Sequence, residues 1–283
     1  MEYIIEHFET NTLTSHGHTS EQSIFIPHLH NHYEVNLFLD GDVLFFIDGH
    51  SIQPQRGDLF LINNTQIHGP KVLSDSVYER AIIHFSPKVA NNLSTKDTDL
   101  LKCFIGPNSK KNHLIHLSEE DIATFIDITD RLEEMEKQSK FVYGDDILIN
   151  NMLCYLLILI NREALKDTPP LLEKKVNHLS EIAQLIIDYT RTNIHQAISL
   201  SDLETNLNMN RHYLNRVFKN DLGISIYNYI LLNKIALAKE LLANSSLPND
   251  VSDSLGFKDY STFARAFKRI TSLSPQNYIK SIL

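Results

Sequence analysis

The sequence predicts a multidomain chain: an all-β barrel with flanking α-helices, then an all-α domain of two helix-turn-helix units. Three observations predict it. Short apolar runs separated by Asp-Gly turns fill the first third of the chain. A signature in the last quarter recurs at an interval of 49 residues, as between Phe218 and Phe267. Between them Asp167-Thr168-Pro169-Pro170 breaks the pattern, since two prolines cannot continue a helix. These divide the chain into a first domain over residues 1–167, a linker over 168–175 and a second domain over 176–283.

In the first domain, Val35 to Leu39 leads into Asp40-Gly41, and Val43 to Ile47 leads into Asp48-Gly49. Asp-Gly between apolar runs marks a hairpin because glycine accepts positive φ. Ile52, Leu59 to Ile62 and Ala81 to Phe85 continue the series, so residues from about 20 to 90 read as a small barrel or jelly roll. Ser118-Glu119-Glu120-Asp121 then opens a helix, with a hydroxyl cap and acids at the positive end of the dipole. Its apolar stripe is Ile122, Phe125, Ile126, Leu132 and Met135. A second helix, from Asp145 to about Leu165, is apolar on most sides. Such a helix is buried, in its own domain or in a subunit interface, and a homodimer is expected through it. Beyond the linker, helices are expected at about 178–192, 201–207, 210–221, 225–243, 248–255, 259–270 and 275–282.

A chain of 283 residues suits two domains with adequate cores. Its net charge of −9 argues against a surface coated in nucleic acid, but the average hides a split. From Leu171 onward 13 Lys and Arg face 10 Asp and Glu, so only this half suits a polyanion. Cys103 and Cys154, both in apolar surroundings, read as buried hydrophobes of a reducing compartment. Met1 to Glu6 lacks the basic region of a signal peptide, and Ile147 to Ile160 is short for a bilayer and interrupted by Asn150 and Asn151. A cytoplasmic protein with no membrane contact is expected.

The repeat carries the functional signal. One copy reads Asn215-Arg216-Val217-Phe218-Lys219, Ile224-Ser225 and Asn228-Tyr229-Ile230; the other reads Ala264-Arg265-Ala266-Phe267-Lys268, Leu273-Ser274 and Asn277-Tyr278-Ile279. In the first unit Ser201 is expected to cap the short helix, Asn208 to make the turn and Asn210 to cap the next helix. In the second, Gly256 is the turn and Asp259 the cap. Asn208 is compatible with that turn because asparagine tolerates positive φ best after glycine. Leu214, Val217 and Phe218, like Phe263, Ala266 and Phe267, recur at helical spacing and face the core. The opposite faces carry Arg211, His212, Asn215, Arg216 and Lys219, and Tyr260, Ser261, Arg265 and Lys268. Groups near the start of such a helix can read base edges in double-stranded DNA, while Lys219, Lys268 and Arg269 at the far end suit phosphates. One basic helix face is often mere solvation; two in register are not.

These residues resemble a family. Tyr213 to Lys219, Lys234 to Ala238, Val251, Gly256-Phe257, Phe263 to Lys268 and Ser274-Pro275 look like the DNA-binding domain of the AraC/XylS transcription regulators. The resemblance covers about 176–283. It implies two helix-turn-helix units bridged by a helix, base contacts from His212, Asn215, Arg216, Tyr260, Ser261 and Arg265, and RNA polymerase as a partner. Three positions depart: Glu204 replaces a small residue, Ser272 a glycine and Lys234 an arginine.

Eleven of the 14 histidines precede the linker. His28-x-His30-x-x-x-Glu34, with Gly41 beyond it and His68 after Gly57, has metal-ligand character. Strand alternation puts His28, His30 and Glu34 on one face. Three imidazoles and a carboxylate suit a divalent zinc, iron, manganese, nickel or copper ion. The spacing resembles the two cupin motifs, although Asn63, Thr65 and Val72 stand where the second expects Pro, Gly and Asn. The tetrad can hold metal, line a metal-free pocket or be structural. Arg80 and His84, of equal parity on a later strand, are candidates for the same pocket.

The reading is a non-enzymatic, ligand-responsive regulator of transcription, an activator of a nearby operon. Its cupin-type barrel takes a small effector such as a sugar. The rivals are a metal-dependent cupin enzyme and a constitutive DNA-binding protein with an inert barrel.

Overall fold

The computed structural model describes residues 12–19, 27–104, 114–138, 140, 142–166 and 179–282. The expectations about Met1 to Glu6, the Asp167 to Pro170 break and the 168–175 linker lie outside the described residues.

Among the described residues, eight strands form two antiparallel sheets. β1 (Thr12–Thr19), β7 (Tyr78–Phe85), β2 (Tyr33–Asp40), β5 (Asp58–Ile62) and β8 (Leu114–His116) pair in that order. β4 (His50–Ile52), β3 (Val43–Ile47) and β6 (His68–Val72) make the second sheet. β2 is buried on both faces, for a reason visible in its alternation. Tyr33, Val35, Leu37 and Leu39 join the cluster that also contains helix residues, while Phe38 packs with Phe45, Phe60 and Tyr78 between the sheets. Glu34 and Asn36 share the parity of Phe38, so the strand drives two polar side chains into the space between the sheets.

α1 (Pro87–Leu93), α2 (Glu119–Lys137) and α3 (Asp145–Ala164) cover the outer face of the larger sheet. Ser118 caps α2 as expected, accepting from the Asp121 amide. α3 buries Leu153, Leu156, Leu157 and Ile160, while Ile147, Leu148 and Tyr155 on another face are exposed. At 20 residues it is long and apolar enough to span a bilayer, longer than the 147–160 run suggests.

Among the described residues, seven helices follow: α4 (Glu181–Thr192), α5 (Leu200–Leu207), α6 (Arg211–Leu222), α7 (Ile226–Ala243), α8 (Pro248–Ser254), α9 (Tyr260–Thr271) and α10 (Pro275–Ile282). The first helix-turn-helix is α5–α6 and the second α8–α9, bridged by α7. Asn210 and Asp259 cap the second helix of each pair, as expected. The cap of α5 is corrected: Ser199, not Ser201, accepts from the Asp202 amide, and Asp202 returns the bond in a reciprocal box. Ser201 sits inside the first turn.

β1, β8 and α1 were not foreseen. Thr12–Thr19 carries one large apolar residue, Leu13, and Leu114–His116 is three residues long, so neither shows a readable period. The core of the helical domain also extends beyond it: Leu29, Phe46 and Ile67 of the barrel belong to the same apolar cluster as Ile187, Phe218, Tyr229 and Ile235.

Candidate functional site

Two sites are separable, a polar centre between the sheets and the exposed faces of α6 and α9. Glu34 is the hub of the first. It lies opposite His84 in the β2–β7 register, which explains how residues 50 apart in sequence meet. His28 and His68 are joined by an isolated antiparallel bridge, which brings the loop before β2 onto the start of β6. His28 and His30 precede the strand, which starts at Tyr33. This bridge, not strand parity, therefore brings them to Glu34.

The Nε2 atoms of His30, His68 and His84 lie 3.0, 2.9 and 3.0 Å from one Glu34 carboxylate oxygen, Oε2. Asn36 Nδ2 donates to the other oxygen at 3.0 Å. His28 completes a group of four, with His30, Glu34 and His68, whose ligand atoms lie within 4.8 Å of one another. Arg80 stands four residues along β7 from His84, with its guanidinium 4.6 Å from the Tyr78 ring centroid.

The donor chemistry fits a cation. His30 Nδ1 lies 2.9 Å from the His32 carbonyl, and His68 Nδ1 lies 2.9 Å from the Gln66 carbonyl. A carbonyl only accepts, so both Nδ1 atoms carry a proton; Nε2 is then the atom each ring turns to Glu34, donating to it when protonated and free to ligate a cation when not. Burial pushes His30 well below its ordinary value, which keeps its ring neutral. Burial alone would raise Glu34, but the His68 and His84 charges and the His30 and His68 hydrogen bonds outweigh it and hold the carboxyl well below its usual range. Imidazole nitrogens and a carboxylate oxygen thus converge on one point, a donor set that positive charge satisfies, carried either by protons on the rings or by a cation. Backbone carbonyls orienting the far nitrogens are also the usual support of metal-ligating histidines.

In the helical domain, Arg211, His212, Arg216 and Lys219 of α6 are exposed, as are Ser261, Arg265 and Lys268 of α9. Asn215 and Tyr260 are half-buried. Asn215 Oδ1 accepts from the Ile226 amide at 3.0 Å, fastening α6 to the start of α7, and the Tyr260 ring packs 6.0 Å from that of Phe263. Glu204 Oε1 accepts from the Arg211 amide at 3.4 Å, so the departure at this position places a carboxylate at the start of α6.

Sequence reading missed two residues that matter to these sites, Asn36 and Lys239. Lys239 of α7 is fully buried, donating to the carbonyl of His30 at 2.9 Å and to that of Asn64. Burial pushes its amine down to about 7. The signal was a lysine inside an apolar helix, but only the packing shows what it reaches. A cleft of about 400 Å³ also lies between the domains, lined by Asp48, Asn63, Arg191, Asn233 and Glu240 among others.

Comparison with known proteins follows the same division. Residues 14–136 match the model of an AraC-like ligand binding domain, and residues 203–281 that of a helix-turn-helix domain. The "Msm operon regulatory protein" of Streptococcus mutans is 24% identical over 267 residues, covering 91% of this chain and 87% of that one. The "Probable transcriptional regulator LumQ" of Photobacterium leiognathi is 32% identical over 107 residues, covering 38% and 42%. Among solved structures, ToxT from Vibrio cholerae O395 is 17% identical at a TM-score of 0.37, covering 96% of this chain and 98% of that chain.

Proposed function

The chain belongs to the AraC/XylS family of transcription regulators, and from that premise we propose that it reads a two-part DNA site under control of an effector bound at the Glu34 centre. The observation that carries the DNA reading is the pair of helix-turn-helix units on one bridging helix. α7 has 18 residues, so it is about 27 Å long, close to the roughly 34 Å between successive major-groove faces. Arg211, His212, Arg216, Ser261 and Arg265 are assigned to base edges, Lys219 and Lys268 to phosphates. Asn215 and Tyr260 contact DNA only with what their packing leaves exposed.

Arg265→Ala is expected to weaken specific binding by about 1–3 kcal/mol, and Lys219→Ala to lower the salt slope by about 1 with little change in specificity. Gel-shift titrations of both variants at several salt concentrations check this. Unchanged affinity and slope in both would overturn the assigned faces.

For the effector, three imidazole nitrogens on one carboxylate favour a divalent metal ion held by His28, His30, Glu34 and His68, with His84 beside them. A bound ion supplies positive charge to these lone pairs. We read the centre as a sensor, a reading supported by relatives that carry regulator names. A sugar suits the interdomain cleft better than the Glu34 centre, because Asp48, Asn63, Asn233 and Glu240 spread hydrogen-bonding groups over its wall. A thermal-shift screen of metals against sugars, repeated on His68→Ala and Asn233→Leu, separates the two occupants.

We further assign a homodimer through α3, and activation of a nearby operon with RNA polymerase as partner. The family's usual direction and the operon-regulator name of the Streptococcus mutans relative support the sign. A promoter–reporter fusion more active without the protein would reverse it.

A further inference from the structure

Lys239 projects from α7, the helix that carries both DNA-reading units, into the barrel. Its amine is fully buried and donates to the backbone carbonyls of His30 and Asn64, with the Tyr278 ring centroid 5.9 Å away. No carboxylate lies within ion-pair distance of it among the described residues. Burying an amine on carbonyls alone is costly, because no carboxylate offsets its desolvation.

Its contacts suggest a role. His30 is bifunctional: its ring faces Glu34 through Nε2, while its carbonyl holds Lys239. Asn64 belongs to the short loop that runs from β5 to His68, the other ring on the same carboxylate oxygen. Both carbonyls that hold the amine thus come from segments that supply groups to the Glu34 centre. Around this contact the seam is closed by Asn31 Nδ2 on the Thr271 carbonyl at 2.8 Å and Thr65 Oγ1 on Glu240 Oε1 at 3.1 Å. Any movement of His30 or His68 relative to Glu34 changes the carbonyl pair that pins α7.

We propose that Lys239 is the coupling residue through which occupancy of the Glu34 centre changes DNA binding. This rests on the metal reading above. Drawing the His30 and His68 rings onto an ion fixes both carbonyls, holds the amine and so holds α7 in one arrangement. Without the ion the two segments are tied to one another only through the hydrogen bonds of the His30 and His68 rings to Glu34, a weaker tether that holds the amine less firmly. The ion and DNA then favour the same arrangement, and each tightens binding of the other by the same factor.

The test uses the full chain, ZnCl2, NiCl2 and MnCl2 as separate probes, and a roughly 30-base-pair duplex selected from a random library by the wild-type protein. Calorimetry gives metal uptake, and fluorescence anisotropy gives DNA affinity with and without metal. In the wild type, metal is expected to tighten DNA binding by about fivefold or more, and a metal that weakens it would overturn the coupling as stated. Lys239→Met is expected to take up metal as the wild type does while its DNA affinity no longer responds. Lys239→Gln, which still donates to one carbonyl, keeps part of the response and serves should the Met variant fail to fold. If the wild type takes up none of the metals, the metal reading falls and the coupling falls with it. If metal binds but wild-type DNA affinity is unchanged, or the Lys239 variants respond as fully as the wild type, the coupling is overturned while the metal reading stands.

Discussion

Gly256 and Asn208 occupy equivalent turns of the two helix-turn-helix units, at φ +63° and +51°, yet only one of them must be glycine. A Cβ on Gly256 would lie 2.5 Å from the Ala197 nitrogen and 2.5 Å from the Gln196 carbonyl carbon, because the segment leading into α5 crosses the second turn there. The left-handed conformation alone costs a side chain about 1–2 kcal/mol; a backbone clash adds to it. Gly256→Ala is therefore expected to cost at least about 2–4 kcal/mol by denaturant titration, and Asn208→Gly to stay within about 1 kcal/mol of the parent. Equal costs for Gly256→Ala and Asn208→Ala would show that the crossing segment imposes nothing. Period and turn chemistry made both positions legible as turns. The reason for their inequality is a contact between residues about 60 apart, and no local pattern records it.

Among the elements, α7 shows most plainly how packing overrides a helix's own pattern. It is apolar nearly all round because α6, α8, α9 and the barrel surround it, and two of its lysines are buried with it. Lys234 donates to the Gln196 carbonyl at 2.7 Å and the Leu255 carbonyl at 2.6 Å, tying both units to the bridge. Lys234→Met leaves these carbonyls without that donor and is expected to cost about 1–3 kcal/mol, whereas Lys234→Arg should recover most of it in the same melt. α3 presents the opposite case, an apolar helix with one face left open. Leu148→Glu with Tyr155→Glu is expected to convert a dimer to monomer in sedimentation, with the melting temperature of the monomer unchanged; a dimer that persists would move the interface elsewhere. The capping carboxylates give a pH signature. Hydrogen bonds from Ser199 to Asp202 and from Thr262 to Asp259 hold both below the ordinary 3.8. As pH falls, the unfolded chain takes up these protons first. The stabilisation is full above about pH 4 and is lost as pH drops through the folded values, so Asp202→Asn with Asp259→Asn should flatten the acid limb of a stability–pH curve.

At the scale of the whole molecule, the two domains share an apolar cluster. Leu29, Phe46 and Ile67 of the barrel are buried with the core of the helical domain, and the polar seam around Lys239 lies beside them. One thermal transition is expected for the wild type. Leu29→Asp, which buries an unpaired charge in that seam, should separate it into two by calorimetry. Two transitions in the wild type would show that the shared cluster does not couple the domains.

The sequence by itself determined the elements and the chemistry of each half. Asp-Gly turns, capping residues, the 49-residue interval and the His-x-His-x-x-x-Glu spacing are local or periodic, so they survive in one dimension. Tertiary structure decided which of these residues meet. Strand register set His84 opposite Glu34 and left Arg80 four residues away; the His28–His68 bridge closed the centre; and the docking of α7 carried Lys239 to the carbonyl of His30. These are pairings across 40 to 209 positions, fixed by the shared burial of apolar faces rather than by any pattern along the chain.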